Sequence, residues 1–299
     1  MEIGIIILPE YSWKKASAIW QQIEEIGFDY GWSYDHLAWR TLCDSTWFGT
    51  FPVLSAAACA TTRLRIGTLV STPNFRHPIQ LARDAMALDD ISDGRFILGL
   101  GAGGPGLDER LTGISPLPPR QRSDRFSEFV EILDQLLKFP RANYDGKYYR
   151  AVDTVMAPGC VQQPRIPFAV AATGPRGISV AARHSTIWVT NGSQKHFGTQ
   201  CQEDALALAG KQLNLLRNQC EVIGRAPTSV ISMANGSVMG DNPARSADSM
   251  VRFAAECAGL GFNAITFHYP RASGIFAGDT KLFARAAAKA LPHIRDMSS

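Results

Sequence analysis

The sequence predicts an α/β fold, a (β/α)8 TIM barrel with an insertion after strand four. Three observations carry that expectation. Apolar runs of strand length alternate with amphipathic helical stretches about eight times along 299 residues. The runs are continuously apolar, as parallel strands covered on both faces are. The rhythm breaks once, after the fourth run, and then resumes. About eight such units suit a barrel of this length; a doubly wound sheet is the competing arrangement. No Ser/Gly-rich linker divides the chain, so residues 1–299 read as a single domain with an insertion over about 102–165.

The elements follow in order. IGIIIL (3–8) reads as a buried strand. In the WKKASAIWQQIEEIG that follows, Ala16, Ile19, Trp20, Ile23 and Ile26 recur at helical spacing, and Gly27 supplies the stop. FDYGWSY is the second strand, FPVLSAAACATT a small-residue-rich helix, and LRIGTLV (64–70) the third strand. IQLARDAMALDDIS is a helix ended by Asp93–Gly94, and RFILGLG (95–101) is the fourth strand. AGGPGLDERLTGISPLPP then reads as a long Gly/Pro-rich loop and RSDRFSEFVEILDQLLKF as a helix. ANYDGKYYRAVDTVMAPGCVQQPR reads as a hairpin around Asp145–Gly146 with irregular chain. Regular units resume with PFAVAA (167–172), GISVAARHS, TIWVTN (186–191) and a long helix over about 201–223. SVISMANGSV and NAITFHY are the last strands, with helices at about 243–259 and 279–291.

Composition narrows the function classes. With 45% hydrophobic and 19% charged residues, the chain has enough apolar material for a large core. The net charge of +3 is scattered, with no dense Lys/Arg run, so no nucleic-acid or membrane partner is expected. The six cysteines form no C-x-x-C pair and no zinc-like spacing with histidine, which predicts a reduced, cytoplasmic protein without a metal site. The start, MEIGIIILPEY, has neither a basic n-region nor a small-residue cleavage site, and no later stretch is long and apolar enough to span a bilayer.

A barrel of this kind carries its active site at the C-terminal ends of its strands. Those ends are Leu8–Pro9, Tyr34–His36, Leu69–Thr72, Gly101–Gly104, Ala171–Gly174, Thr190–Gly192, Ser237–Gly240 and Phe267–Tyr269. Asp35 and His36 therefore fall on the rim. Histidine is the natural proton carrier near neutral pH, and a carboxylate can hold its charge or tautomer. Adjacent strand residues face opposite ways, however, so contact between the two requires the chain to turn. GLGAGG matches G-x-G-x-x-G, but no helix opens at once after it, which favours a rim loop touching a ligand through Gly103 and Gly104, with a merely structural turn as the competing reading, over a Rossmann site.

AATGPRGISVAARHS places Ala172, Gly174, Pro175, Arg176 and Gly177 between a strand and a helix. Unpaired N–H groups at a helix start, with an arginine beside them, form a phosphate cradle; the competing reading is an ordinary turn with a surface arginine. Thr72 could bond a ligand or serve only its own turn. Trp32, Trp39, Trp47 and Phe48 could wall an apolar substrate pocket or simply pack.

SYDHL, the stretch from LSAAACATTRLRIG to FILGLGAGG, RQRSDRFSEFVEIL, YYRA and QQPRIPFAVAATGPRGISVAARHSTIWVTNG together resemble the bacterial luciferase-like family of flavin- or deazaflavin-dependent oxidoreductases. The resemblance runs from the first strand to about residue 192. It implies a barrel with an insertion after strand four and a flavin-type ring over its mouth. It implies His36, beside Asp35, in contact with the ring or a substrate proton. It also implies a non-proline cis bulge near Leu69–Val70 behind the ring, Thr72 touching the ring, and the coenzyme phosphate at Gly174 to Gly177. The expected cofactor is the deazaflavin coenzyme F420, with FMN as the alternative. The activities it implies are hydride transfer to or from a small organic substrate, an FMN-dependent monooxygenase reaction with oxygen, or flavin binding without catalysis. A small-molecule substrate and a homodimer are expected as partners. Two features depart from the family. Some deazaflavin members carry an acid after GxGxG where Gly104 stands here, and the tryptophan after the Asp-His pair is shifted by one, Trp39 following His36 by three positions.

Overall fold

In the computed structural model, residues 1–104, 106–193, 201–238 and 242–298 are described. Gly240, expected on the rim, lies outside them. The first half-barrel comprises β1 (Glu2–Ile6), α1 (Trp13–Ile26), β2 (Tyr30–Ser33), α2 (Thr50–Ala60), β3 (Arg65–Thr68), α3 (Pro78–Ile91) and β4 (Phe96–Gly101). Between β4 and the second half lie α4 (Leu107–Thr112), α5 (Pro119–Lys138), β5 (Arg141–Asp145) and β6 (Arg150–Val155). The second half runs β7 (Phe168–Ala171), α6 (Pro175–His184), β8 (Ile187–Thr190), α7 (Gln202–Val222), β9 (Ile231–Asn235), α8 (Ala247–Leu260), β10 (Ala264–His268) and α9 (Thr280–Arg295).

The strands close in the order β1-β10-β9-β8-β7-β4-β3-β2, every neighbouring pair parallel. Closure excludes the doubly wound sheet. β5 and β6 form a separate antiparallel hairpin inserted after β4. The predicted strands overrun the observed ones by a few residues. Ile7 and Leu8, for example, lie beyond β1 yet stay buried at the rim, and the Ile7 N–H still donates to the Trp32 carbonyl at 2.8 Å.

Local chemistry explains the elements. Ala16, Ile19, Trp20 and Ile23 form the buried stripe of α1, which Gly27 ends with φ +100. The Trp20 ring packs so close to Gly31 that a Cβ there would lie 2.4 Å from it, so β2 needs a glycine at this point. The barrel interior is filled by side chains, among them Tyr30, Trp32, Ile97, Ala169, Met233 and Ala264. Trp32 stacks on Tyr30 at 5.3 Å and is fully buried, so it packs the interior and does not wall a pocket.

The long loop expected after β4 contains a helix, α4. Asp108 and Glu109 stand in its first turn and Gly113 closes it with φ +72. Acids at a helix start complement its dipole, and glycine fits its end. Polar clasps tie the hairpin to α5, and α5 to the second half-barrel. Glu128 of α5 accepts from the backbone N–H groups of Lys147, Tyr148 and Tyr149 in the hairpin turn. Asp134 pairs with Arg165 at 2.7 Å, with Lys138 at 2.7 Å and with His184 at 3.9 Å. Among the described residues, no helix is long and apolar enough to cross a membrane.

Candidate active site

β2 ends at Ser33, and there Asp35 and His36 diverge. Asp35 is 1% exposed and turns toward the end of β3. Its carboxylate accepts from Ser71 Oγ at 2.6 Å and from Arg76 Nε and Nη2 at 3.0 and 2.6 Å. Asp35 thus braces two strand ends against each other, and its partner is Arg76, not His36.

His36 has a different acid. Its Nδ1 lies 2.6 Å from Asp108 Oδ2, and Asp108 Oδ1 accepts the Leu37 N–H at 2.8 Å. With Asp108 ionised, Nδ1 carries the proton and Nε2 presents its lone pair. Trp47 adds a third restraint, donating from Nε1 to the His36 carbonyl at 2.7 Å. Asp108 was not among the expected site residues. Its signal in the sequence is the helix pattern G-L-D-E-R-L-T-G, which identifies α4 but not where that helix docks.

The next wall is the end of β3. The Leu69–Val70 peptide bond is cis, at the position the resemblance implied. Thr72 is buried, and its hydroxyl accepts from the Asn74 N–H at 3.3 Å, within its own turn. Asn74 also donates to the Gly104 carbonyl at 3.0 Å and accepts from Arg125 at 2.6 Å, anchoring the glycine loop after β4. Gly103 adopts φ +66 against Asn74.

At the end of β7, Ala172 is buried and Gly174 is the N-cap of α6, with Pro175 in the first turn and no side chain capping the helix. Gly174 has open space around it, whereas a Cβ at Gly177 would lie 3.0 Å from the Ala172 side chain. A helix start without a side-chain cap, with open space at its N-cap glycine, suits an anionic group. Arg176 is exposed and pairs with Asp124 of α5 at 3.1 Å, so its charge is matched across the loop. Glycine-lined approaches at β4 and α6, with the apolar Leu69–Val70 wall on the far side of β4, fit a flat ring bearing a phosphate.

β10 contributes a second histidine. His268 points into the barrel, 6% exposed, its ring edge-on to Tyr34 at 5.9 Å. Burial holds its pKa down at about 3 against a weaker upward pull from its bond to the Tyr269 carbonyl. Burial also pushes the Tyr34 phenol well above its usual range. Phe276 stacks on His268 at 3.7 Å and on Trp39 at 6.0 Å. Trp39 and Trp47 therefore sit at the mouth, while Phe48 is 42% exposed.

A closed parallel barrel, an inserted hairpin after β4 and a histidine at the end of β2 define a luciferase-like oxidoreductase. The chain belongs to the luciferase-like monooxygenase family, whose profile matches residues 1–256. It is 30% identical over 261 residues to the F420-dependent hydroxymycolic acid dehydrogenase of Mycobacterium tuberculosis, covering 85% of this chain and 67% of that one. It is 32% identical over 189 residues to the F420-dependent glucose-6-phosphate dehydrogenase of Beutenbergia cavernae, covering 62% of this chain and 54% of that one. The chain thus spans only about half the length of that second relative. An F420-dependent secondary alcohol dehydrogenase, solved with an F420-acetone adduct, shares the fold with a TM-score of 0.82 at 15% identity, over 99% of each chain.

Proposed function

We propose that this protein transfers a hydride between coenzyme F420 and a small organic substrate, with His36 handling the substrate proton. The observation that carries the reading is the Asp108–His36 pair at the barrel mouth, which leaves Nε2 of a 23% exposed side chain as the available acid–base atom. F420-dependent activities in the relatives support the choice of cofactor. The bound deazaflavin would supply the hydride-accepting or hydride-donating carbon. Gly174, Gly177 and the α6 start would hold its phosphate, and Leu69–Val70 would back its ring.

The chain's own share is positioning and proton transfer. Asp108 fixes the His36 tautomer and stabilises the imidazolium that forms when Nε2 takes a proton from a substrate hydroxyl. In the reverse direction Nε2 returns that proton to a carbonyl oxygen. Trp47 and the Leu37 N–H contact keep the ring from turning away. Absorbance titration with F420 and, separately, FMN tests the reading. Saturable F420 binding with turnover is expected. Tight FMN binding without an F420 response would place the protein with FMN-dependent monooxygenases instead, and a bound cofactor without turnover would leave a flavin-binding protein.

A further inference from the structure

His268 carries an unmet hydrogen-bonding group in a dry place. Its Nδ1 lies 2.7 Å from the Tyr269 carbonyl, which only accepts, so Nδ1 holds the proton. The other ring nitrogen, Nε2, is then a lone pair, buried and without a partner. Buried acceptors are normally satisfied, and an exception calls for a reason. Burial also keeps this imidazole uncharged across the physiological range.

Above the ring lies a second anomaly. Phe276 sits at φ +62, a region that a bulky side chain rarely occupies. It belongs to the loop after β10 and lies nearly parallel to both neighbours, at 17° to His268 and 21° to Trp39. Gly274, at φ +71, precedes it and Gly278 follows. Arg271 holds the loop's base. Its guanidinium bonds Glu10 and the carbonyls of Ser273 and Ile275, and its N–H bonds the Phe276 carbonyl at 2.9 Å. The cation beside the slot is therefore matched by Glu10 and by loop carbonyls.

We infer that the aromatic slot between Trp39 and His268, filled here by the chain's own Phe276, is the subsite for the body of the substrate. It takes a neutral, flat, apolar-framed molecule that donates one hydrogen bond to His268 Nε2. The inference rests on the oxidoreductase reading above and adds a substrate class to it. An uncharged acceptor walled by aromatic rings favours a hydroxyl or N–H donor and offers nothing to a phosphate or carboxylate. Phe276 marks where the flat part of the substrate lies, and it swings out between its flanking glycines when the substrate enters.

The test uses the full chain and three probes. p-Cresol and 4-methylanisole match in frame but differ in the donor, and glucose 6-phosphate represents the anionic class. The imidazole nitrogens are followed by 15N NMR, with His268→Phe assigning the signal. p-Cresol should shift the Nε2 signal of His268 and bind about tenfold more tightly than 4-methylanisole, one hydrogen bond's worth. His268→Phe should erase that tenfold gap. Phe276→Ala, which empties the slot, should tighten p-cresol binding and serves if the first variant does not fold. Equal affinity for the two aromatic probes, a silent Nε2 signal, or displacement of p-cresol by glucose 6-phosphate would overturn the assignment. F420 titration of the same samples judges the cofactor separately, since failure there sinks the hydride-transfer reading and leaves the probe result standing.

Discussion

At the scale of single residues, the proposed chemistry rests on which acid meets which histidine. Adjacency in sequence suggested Asp35 for His36, but strand geometry sends neighbours apart, and the fold gives Asp35 to Arg76 and Asp108 to His36. Asp108→Asn should lower kcat by about 100-fold, the low end of what positioned acid–base catalysis contributes, while F420 affinity measured by absorbance stays unchanged. An unaltered kcat would reduce Asp108 to a structural tie. His268 gives a prediction about acid sensitivity. Its folded pKa of about 3 lies below the ordinary value of 6.5, so in that interval the unfolded chain binds the extra proton. This residue's contribution to stability therefore falls as pH drops from 6.5 toward 3. Denaturant unfolding of His268→Phe at pH 7 and pH 5 should show a smaller loss on acidification than the parent. An identical loss would mean the ring is not held neutral.

At the scale of elements, α5 and its clasps hold the inserted hairpin and the second half-barrel together. Burial raises the Asp134 pKa, but bonds from His184, Lys138 and Arg165 outweigh it and leave the group well below the carboxylate range. A depressed folded pKa means stability that is complete above the unfolded value near 4 and is lost as pH falls through the folded one. Asp134→Asn should cost on the order of 3 kcal/mol at pH 7, because Arg165 would be left largely buried without its acid. Urea titration reads this directly, and a change under 0.5 kcal/mol, about the effect of an ordinary surface substitution, would contradict it. The elements themselves were legible because their signals are local: apolar runs for strands, i, i+3 and i+4 stripes for helices, Asp145–Gly146 for the hairpin. α4 was hidden by the glycines and prolines around it. Its two acids and closing glycine were visible, but its docking on His36 is a long-range contact, 72 residues apart, that no local pattern encodes. His268 stood on the foreseen rim, yet its unmet nitrogen and the Phe276 stack appear only when β10 and its loop are placed together.

At the scale of the whole molecule, the barrel is closed by pairing its first and last strands, β1 and β10. α9 lies over that seam, where Phe283 stacks on Phe28 at 6.3 Å and meets Tyr269 edge-on at 5.8 Å. The Met1 ammonium donates to the Arg295 carbonyl at 3.1 Å. A chain ending at Asp279 should therefore lose cooperative unfolding throughout, as followed by far-UV circular dichroism in urea, and not merely fray at one end. Retention of the parent's midpoint would show the seam to be self-sufficient.

The packed interior also governs traffic. Tyr30, Trp32, Ile97 and Met233 pack the barrel interior, so among the described residues its floor is closed. The proposed coenzyme and its substrate would share one doorway, and whichever lies deeper would enter first and leave last. Steady-state kinetics should then show an obligatory order of addition, and an excess of the outer ligand should trap the inner one and slow its exchange.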